Sequence, residues 1–123
     1  MSGNHLSKMR ARQAAKDYMH GADLRAQSEE LSDKLLGVKF GCSSFTIRKV
    51  REHMPVVALD DEDQALIRQC AAEKARIDQQ LPKLTKSYLS RHYQVSPEAI
   101  DIELDLVGWE DPRIQRKKRR AAA

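Results

Sequence analysis

One stretch of this chain leaves little conformational choice: Leu36-Gly37-Val38-Lys39-Phe40-Gly41-Cys42-Ser43-Ser44-Phe45-Thr46-Ile47-Arg48-Lys49-Val50. Two helices that cross through a short turn need a small residue where their backbones approach, and Gly37 supplies it. The turn needs a residue that accepts positive φ, and Gly41 does so without a steric penalty. Leu36, Phe40, Cys42, Ile47 and Val50 form an apolar plug for the angle. Ser43 is a hydroxyl cap for the second helix. These requirements are met together, which carries more weight than any single glycine.

The segment resembles the helix-turn-helix of bacterial and phage DNA-binding proteins, including repressors and resolvase-type recombinase domains. The likeness covers 28–53 and selects no single family. It implies DNA binding with the second helix, residues 43–53, in the major groove. Under that geometry Ser44, Phe45 and Arg48 face base edges. Arg48 is able to pair with a guanine and Phe45 to touch a thymine methyl. Ser43, Lys49 and Arg51 sit nearer the phosphates, with Lys39 reaching from the first helix. For Phe45 a second reading stays open, a place in the core.

Around this segment the pattern is helical throughout. Leu6, Met9, Gln13, Ala14 and Met19 predict a helix over 5–20, with Gly21 as its stop. Ser28, followed by Glu29 and Glu30, predicts a new helix start running to about Lys39. Val56, Val57 and Leu59 form a short packed connection. Asp60 or Asp61 then caps a long helix, 61–80, with Ile67, Cys70, Ile77, Leu81 and Leu84 as its apolar seam and Lys74 as an interruption. This seam has two possible partners: the chain's own small helical units, or its twin in a homodimer. Further helices are expected at 82–93 and 97–104.

The plug pattern returns 53 residues later, where Leu89, Ser90, Tyr93, Val95, Ser96 and Ile100 match Leu36, Gly37, Phe40, Cys42, Ser43 and Ile47. Gln94 replaces the turn glycine and Glu103 replaces Val50. Glu98, Asp101, Glu103 and Asp105 line the second helix, and carboxylates facing phosphates are disfavoured. If this is a second helix-turn-helix-like unit, its outer face meets protein; the competing reading is chance similarity of short amphipathic helices.

Charge is divided by region. Residues 1–51 hold 10 basic and 5 acidic side chains, 52–112 hold 6 and 13, and 113–123 hold 6 and none. The basic head can approach phosphates and the acidic middle is repelled by them. Arg113, Arg116, Lys117, Lys118, Arg119 and Arg120 have no apolar periodicity and predict a disordered basic tail that adds non-specific affinity. The expected divisions are therefore 1–57, a DNA-binding unit; 58–112, a long acidic helix with the second unit; and 113–123, the tail.

Other classes find no footing in the sequence. Cys42 and Cys70 cannot form a disulfide framework or a four-ligand zinc site, and His5, His20, His53 and His92 have no ligand-like spacing to them. No phosphate loop, zinc-protease helix or nucleophile–histidine pair is present. Neither an enzyme nor a cofactor is expected. No apolar run reaches the length of a membrane span, and residues 1–12 lack a secretion signal, so the cytoplasm is the expected location. The sequence therefore describes an all-α, sequence-specific double-stranded DNA-binding protein, a small transcriptional regulator of the kind carried by phages and plasmids. The competing readings are a module or inhibitor gripping a host protein through the acidic half, and a DNA-recognition subunit resembling phage small terminases.

Overall fold

In the computed structural model, which describes residues 2–122 and side chains from 6 to 121, the chain is all-α. The described elements, in order, are α1 (Ser2–Glu30), α2 (Asp33–Phe40), α3 (Ser44–Arg51), α4 (Asp61–Gln80), a 3-10 turn (Leu81–Lys83), α5 (Lys86–Tyr93), α6 (Pro97–Leu106) and α7 (Pro112–Ala122). No described helix is long and apolar enough to cross a membrane.

Local chemistry explains most of the boundaries. Four of the helices start on a hydroxyl that accepts from a backbone N–H three residues on: Ser32 from Leu35, Ser43 from Thr46, Thr85 from Tyr88, and Ser96 from Ala99. Each such bond satisfies a donor that the first turn of a helix leaves orphaned. Asp60 does the same for α4, accepting from Asp63 N at 2.8 Å. Gly41 ends α2 in the left-handed region, at φ 71°.

Three sequence expectations are corrected. The first helix does not stop at Gly21 but runs on to Glu30. Gly21 is a point of close approach instead: a Cβ there would lie 2.7 Å from the Leu84 Cβ. Ser28 is not a cap. It is buried near the end of α1, where its hydroxyl donates to Asp78 Oδ1 at 2.6 Å and accepts from Lys74 Nζ at 3.0 Å. Finally, the expected disordered tail is helix α7, with Pro112 in its first turn, where a missing N–H costs nothing.

The compact units also differ from the expected linear divisions. One unit comprises Met1–Ala26 with Gln80–Ala123, and the other is Gln27–Gln79. In the second unit, α2 and α3 close on α4. Leu36, Ile47, Val50 and Ile67 are buried together, with Leu31, Phe40, Cys42, Val56, Leu59 and Cys70 packed around them. Burying each large aliphatic side chain stabilises the unit by about 1.5–3 kcal/mol. Gln64 pins the 56–59 connection by donating to the carbonyls of Val56 and Leu59. Within this unit the long-helix seam is filled in part: Ile67 and Cys70 join the cluster, Ile77 is buried, and Lys74 is held by Ser28 and Asp78.

In the first unit the N-terminal part of α1 lies against α5 and α6. Ala14, Ala15, Leu89, Ile100 and Leu104 are buried, and Tyr18, Met19, Tyr88, Tyr93, Val95 and Trp109 pack on them. Tyr93 donates its hydroxyl to Asp17, closing a contact across 76 residues of sequence.

Candidate nucleic-acid interface

The site expected from the sequence lies in the Gln27–Gln79 unit. The turn between α2 and α3 is set by Gly37. A Cβ at that position would lie 2.6 Å from the carbonyl oxygen of Cys42 and 3.4 Å from the backbone of Ser43 and Ser44, so no side chain fits. The same approach lets Cys42 N donate to Gly37 O at 2.9 Å. Ser43 then starts α3, accepting from Thr46 N at 3.1 Å and lying 3.0 Å from the Thr46 hydroxyl.

α3 divides cleanly into two faces. Ile47 and Val50 are fully buried. Arg68 of α4 donates to Val50 O at 3.4 Å, tying the end of α3 to α4. Ser44, Phe45 and Arg48 are exposed, and Lys49 is half-buried. At helical spacing Phe45, Arg48 and Lys49 share the face opposite Ile47 and Val50. The open question over Phe45 is resolved: the residue is 61% exposed and belongs to the surface. The Lys49 ammonium sits 4.7 Å over the Phe45 ring, a cation–π contact that holds the two side chains together.

The remaining expected residues are not equivalent. Lys39, in the last turn of α2, is exposed, with its ammonium 5.9 Å from the centre of the Phe40 ring. The Ser43 hydroxyl is engaged in capping. Arg51 donates to Asp33 Oδ2 at 2.8 Å, and Arg48 Nε lies 3.9 Å from the same oxygen. Asp33, in the first turn of α2, was not singled out by the sequence; only the fold brings it across the turn to these two guanidinium groups. Glu52, exposed one turn beyond Arg48, adds a carboxylate to the outer face.

Cys42 is half-buried beside the turn, and its thiol is pushed above the ordinary value by burial and by the Asp63 carboxylate, which makes it a poor nucleophile. Among the described residues no cluster of His, Cys, Asp or Glu is arranged to hold a metal.

The second helix pair repeats the local geometry of the first with other residues. Val95 N donates to Ser90 O at 3.0 Å, as Cys42 N does to Gly37 O. Gln94 adopts the left-handed conformation, φ 55° and ψ 48°, in the place held by Gly41. Ser90 carries a Cβ where Gly37 has none, and its hydroxyl donates to the carbonyl of Val95. The surfaces are opposite in character: Asp101 and Ile102 of α6 stand where α3 carries Arg48 and Lys49.

No family model, curated protein or solved structure matches the chain.

Proposed function

We infer that this protein binds double-stranded DNA sequence-specifically through a helix-turn-helix formed by α2 and α3, with α3 as the recognition helix, and that it acts as a small transcriptional regulator. One observation carries the reading. The outward face of α3 combines exposed Phe45 and Arg48 with Ser44 and Lys49, on a helix whose inner face is anchored by fully buried Ile47 and Val50. Such a helix offers both a bidentate donor for a guanine edge and an apolar ring for a thymine methyl. It has no obvious need of that composition for stability.

The Asp33 carboxylate fits the same reading. It restrains Arg51, and more loosely Arg48, so that fewer side-chain conformations are lost on binding. Lys117, Arg119 and Arg120 of α7 are exposed and would add sequence-independent phosphate contacts. The acidic outer face of α6 is the wrong sign for a second groove contact.

Selection of bound duplexes from a random pool tests the proposal. Enrichment of one short motif is the expected result. Binding without enrichment would reduce the protein to a non-specific DNA binder, and no binding at low salt would remove DNA as the partner.

A further inference from the structure

The exposed side chain of Phe45 constrains what α3 can meet. A phenyl ring has no hydrogen-bond donor or acceptor, and Phe45 stands on the same exposed face as Arg48. Pressed against a base edge, the ring covers polar groups, and covering them without a partner is costly. The major-groove edges of the four bases hold a single apolar group, the C5-methyl of thymine. Cytosine has the same ring position without the methyl, and 5-methylcytosine restores it. The ring therefore separates pyrimidines by their C5 substituent and not by their hydrogen-bonding groups.

Arg48 fixes where that methyl stands. Its Nε lies 3.9 Å from Asp33 Oδ2, and Asp33 is itself held by Arg51 at 2.8 Å. Arg48 makes no hydrogen bond among the described residues, so its terminal Nη groups are open to O6 and N7 of a guanine. Phe45 and Arg48 are one turn apart on α3, about 4.5 Å along the helix axis. Successive base pairs are about 3.4 Å apart. A helix lying along the groove therefore sets the two side chains on neighbouring pairs.

On the reading of α3 as the recognition helix, we propose that its outer face detects a C5-methyl group on the base pair next to a guanine, so that 5-methylcytosine at that position replaces thymine and cytosine methylation strengthens binding. A methylated cytosine–guanine step carries both groups without an A·T pair, the methyl on one pair and the guanine O6 and N7 on the next. Phe45 is thereby a specificity-determining residue, and Arg48 locates it on the duplex.

The test is fluorescence anisotropy with the full chain on a duplex selected from an unmethylated random pool and on single-base derivatives of it. The guanine read by Arg48 is the one whose exchange for 7-deazaguanine weakens the wild type but not Arg48→Ala. An A·T pair should adjoin it. Exchanging that thymine for uracil removes only the methyl and should weaken binding about threefold to fivefold, the worth of one buried methyl group. 5-Methylcytosine paired with guanine at the same position should bind better than cytosine by the same factor. Phe45→Ala should abolish both differences, and Phe45→Leu, which keeps an apolar side chain, should retain part of them. Equal binding of the thymine and uracil duplexes, or a pair other than A·T beside the guanine, would overturn the methyl readout while leaving guanine recognition by Arg48 standing. A thymine–uracil difference with no difference between the two cytosines would overturn the extension to methylated DNA. A pool without any enriched motif would instead remove the reading of α3 as the recognition helix.

Discussion

The Ser28 hydroxyl, at the end of α1, donates to the Asp78 carboxylate of α4 at 2.6 Å. Lys74 joins the pair, donating to Ser28 Oγ at 3.0 Å and to Asp78 Oδ2 at 2.7 Å. These three polar residues account for the break in the apolar seam of α4. Ser28 is buried, whereas Asp78 is largely open to solvent, so the network is a local clamp and not a buried ion pair.

Ser28→Ala should therefore lower stability by about 1 kcal/mol, the typical net worth of one hydrogen bond. The Asp78 carboxyl is held below its ordinary value by bonds from Lys74 and Ser28. A group with a depressed folded-state pKa stabilises the fold above its ordinary value, 3.8, and loses that contribution as pH falls through the folded value. Thermal melts of both proteins at neutral and acid pH check this. The difference between wild type and Ser28→Ala should shrink in acid, and a constant difference would contradict the clamp.

The two turns should respond oppositely to glycine. Gly37→Ala forces a Cβ into the Cys42 carbonyl, a backbone group that cannot move aside, and should destabilise the Gln27–Gln79 unit. Gln94 holds a left-handed conformation that costs an L-residue roughly 1–2 kcal/mol, so Gln94→Gly should stabilise by part of that amount. Urea titrations measure both signs. A stabilised Gly37→Ala variant would mean that the α2–α3 turn is looser than described.

Much of this local structure is legible in the sequence, because caps and tight turns depend on neighbours. Ser43, Gly37, Gly41 and the burial of Leu36, Ile47 and Val50 all follow from residue type and spacing. Pairings between distant segments do not. Nothing near Gly21 signals that it makes room for Leu84, 63 positions later. The tyrosine that meets Asp17 and the carboxylate that meets Arg51 are equally invisible. The same limit hid the make-up of the units: α1 has an apolar face, but the sequence does not say that α5 and α6 cover it. The tail differs from expectation for another reason. Its run of like charge argues against a helix, while Pro112 at the start and Lys118 bridging to Glu110 favour one.

Alkaline pH should weaken the other unit. The hydrogen bond from Tyr93 to Asp17 raises its phenol above the ordinary value of 10.0, and the bond from Lys86 to Asp101 raises the ammonium above 10.5. Both groups hold their protons more tightly when folded. Their contributions are complete below those ordinary values and are lost as pH rises through the folded ones. Stability should begin to fall near pH 10.0, the ordinary value of the phenol, and Tyr93→Phe should make the fall shallower. An identical slope in the variant would show that Tyr93 does not contribute.

Asp33 should restrain DNA binding as well as organise it. Asp33→Asn releases Arg51 from its bond at 2.8 Å and removes a negative charge beside Arg48. Affinity for unrelated duplexes should rise and its salt dependence should steepen, while discrimination between sites falls. Fluorescence anisotropy on a selected and a scrambled duplex measures both effects. Equal affinity changes on the two duplexes would mean that Asp33 tunes charge without ordering the guanidinium groups.

The central claim, that α3 recognises bases, is tested most directly by comparing Arg48→Ala with Lys49→Ala on the duplex enriched by selection and on single-base variants of it. Arg48→Ala should cost about 1–3 kcal/mol on the enriched site and abolish preference at one base pair. Lys49→Ala should weaken every duplex alike and reduce the salt slope by about 1. If neither variant changes affinity or site preference, α3 does not lie in the groove, and the DNA-binding account of this face is wrong.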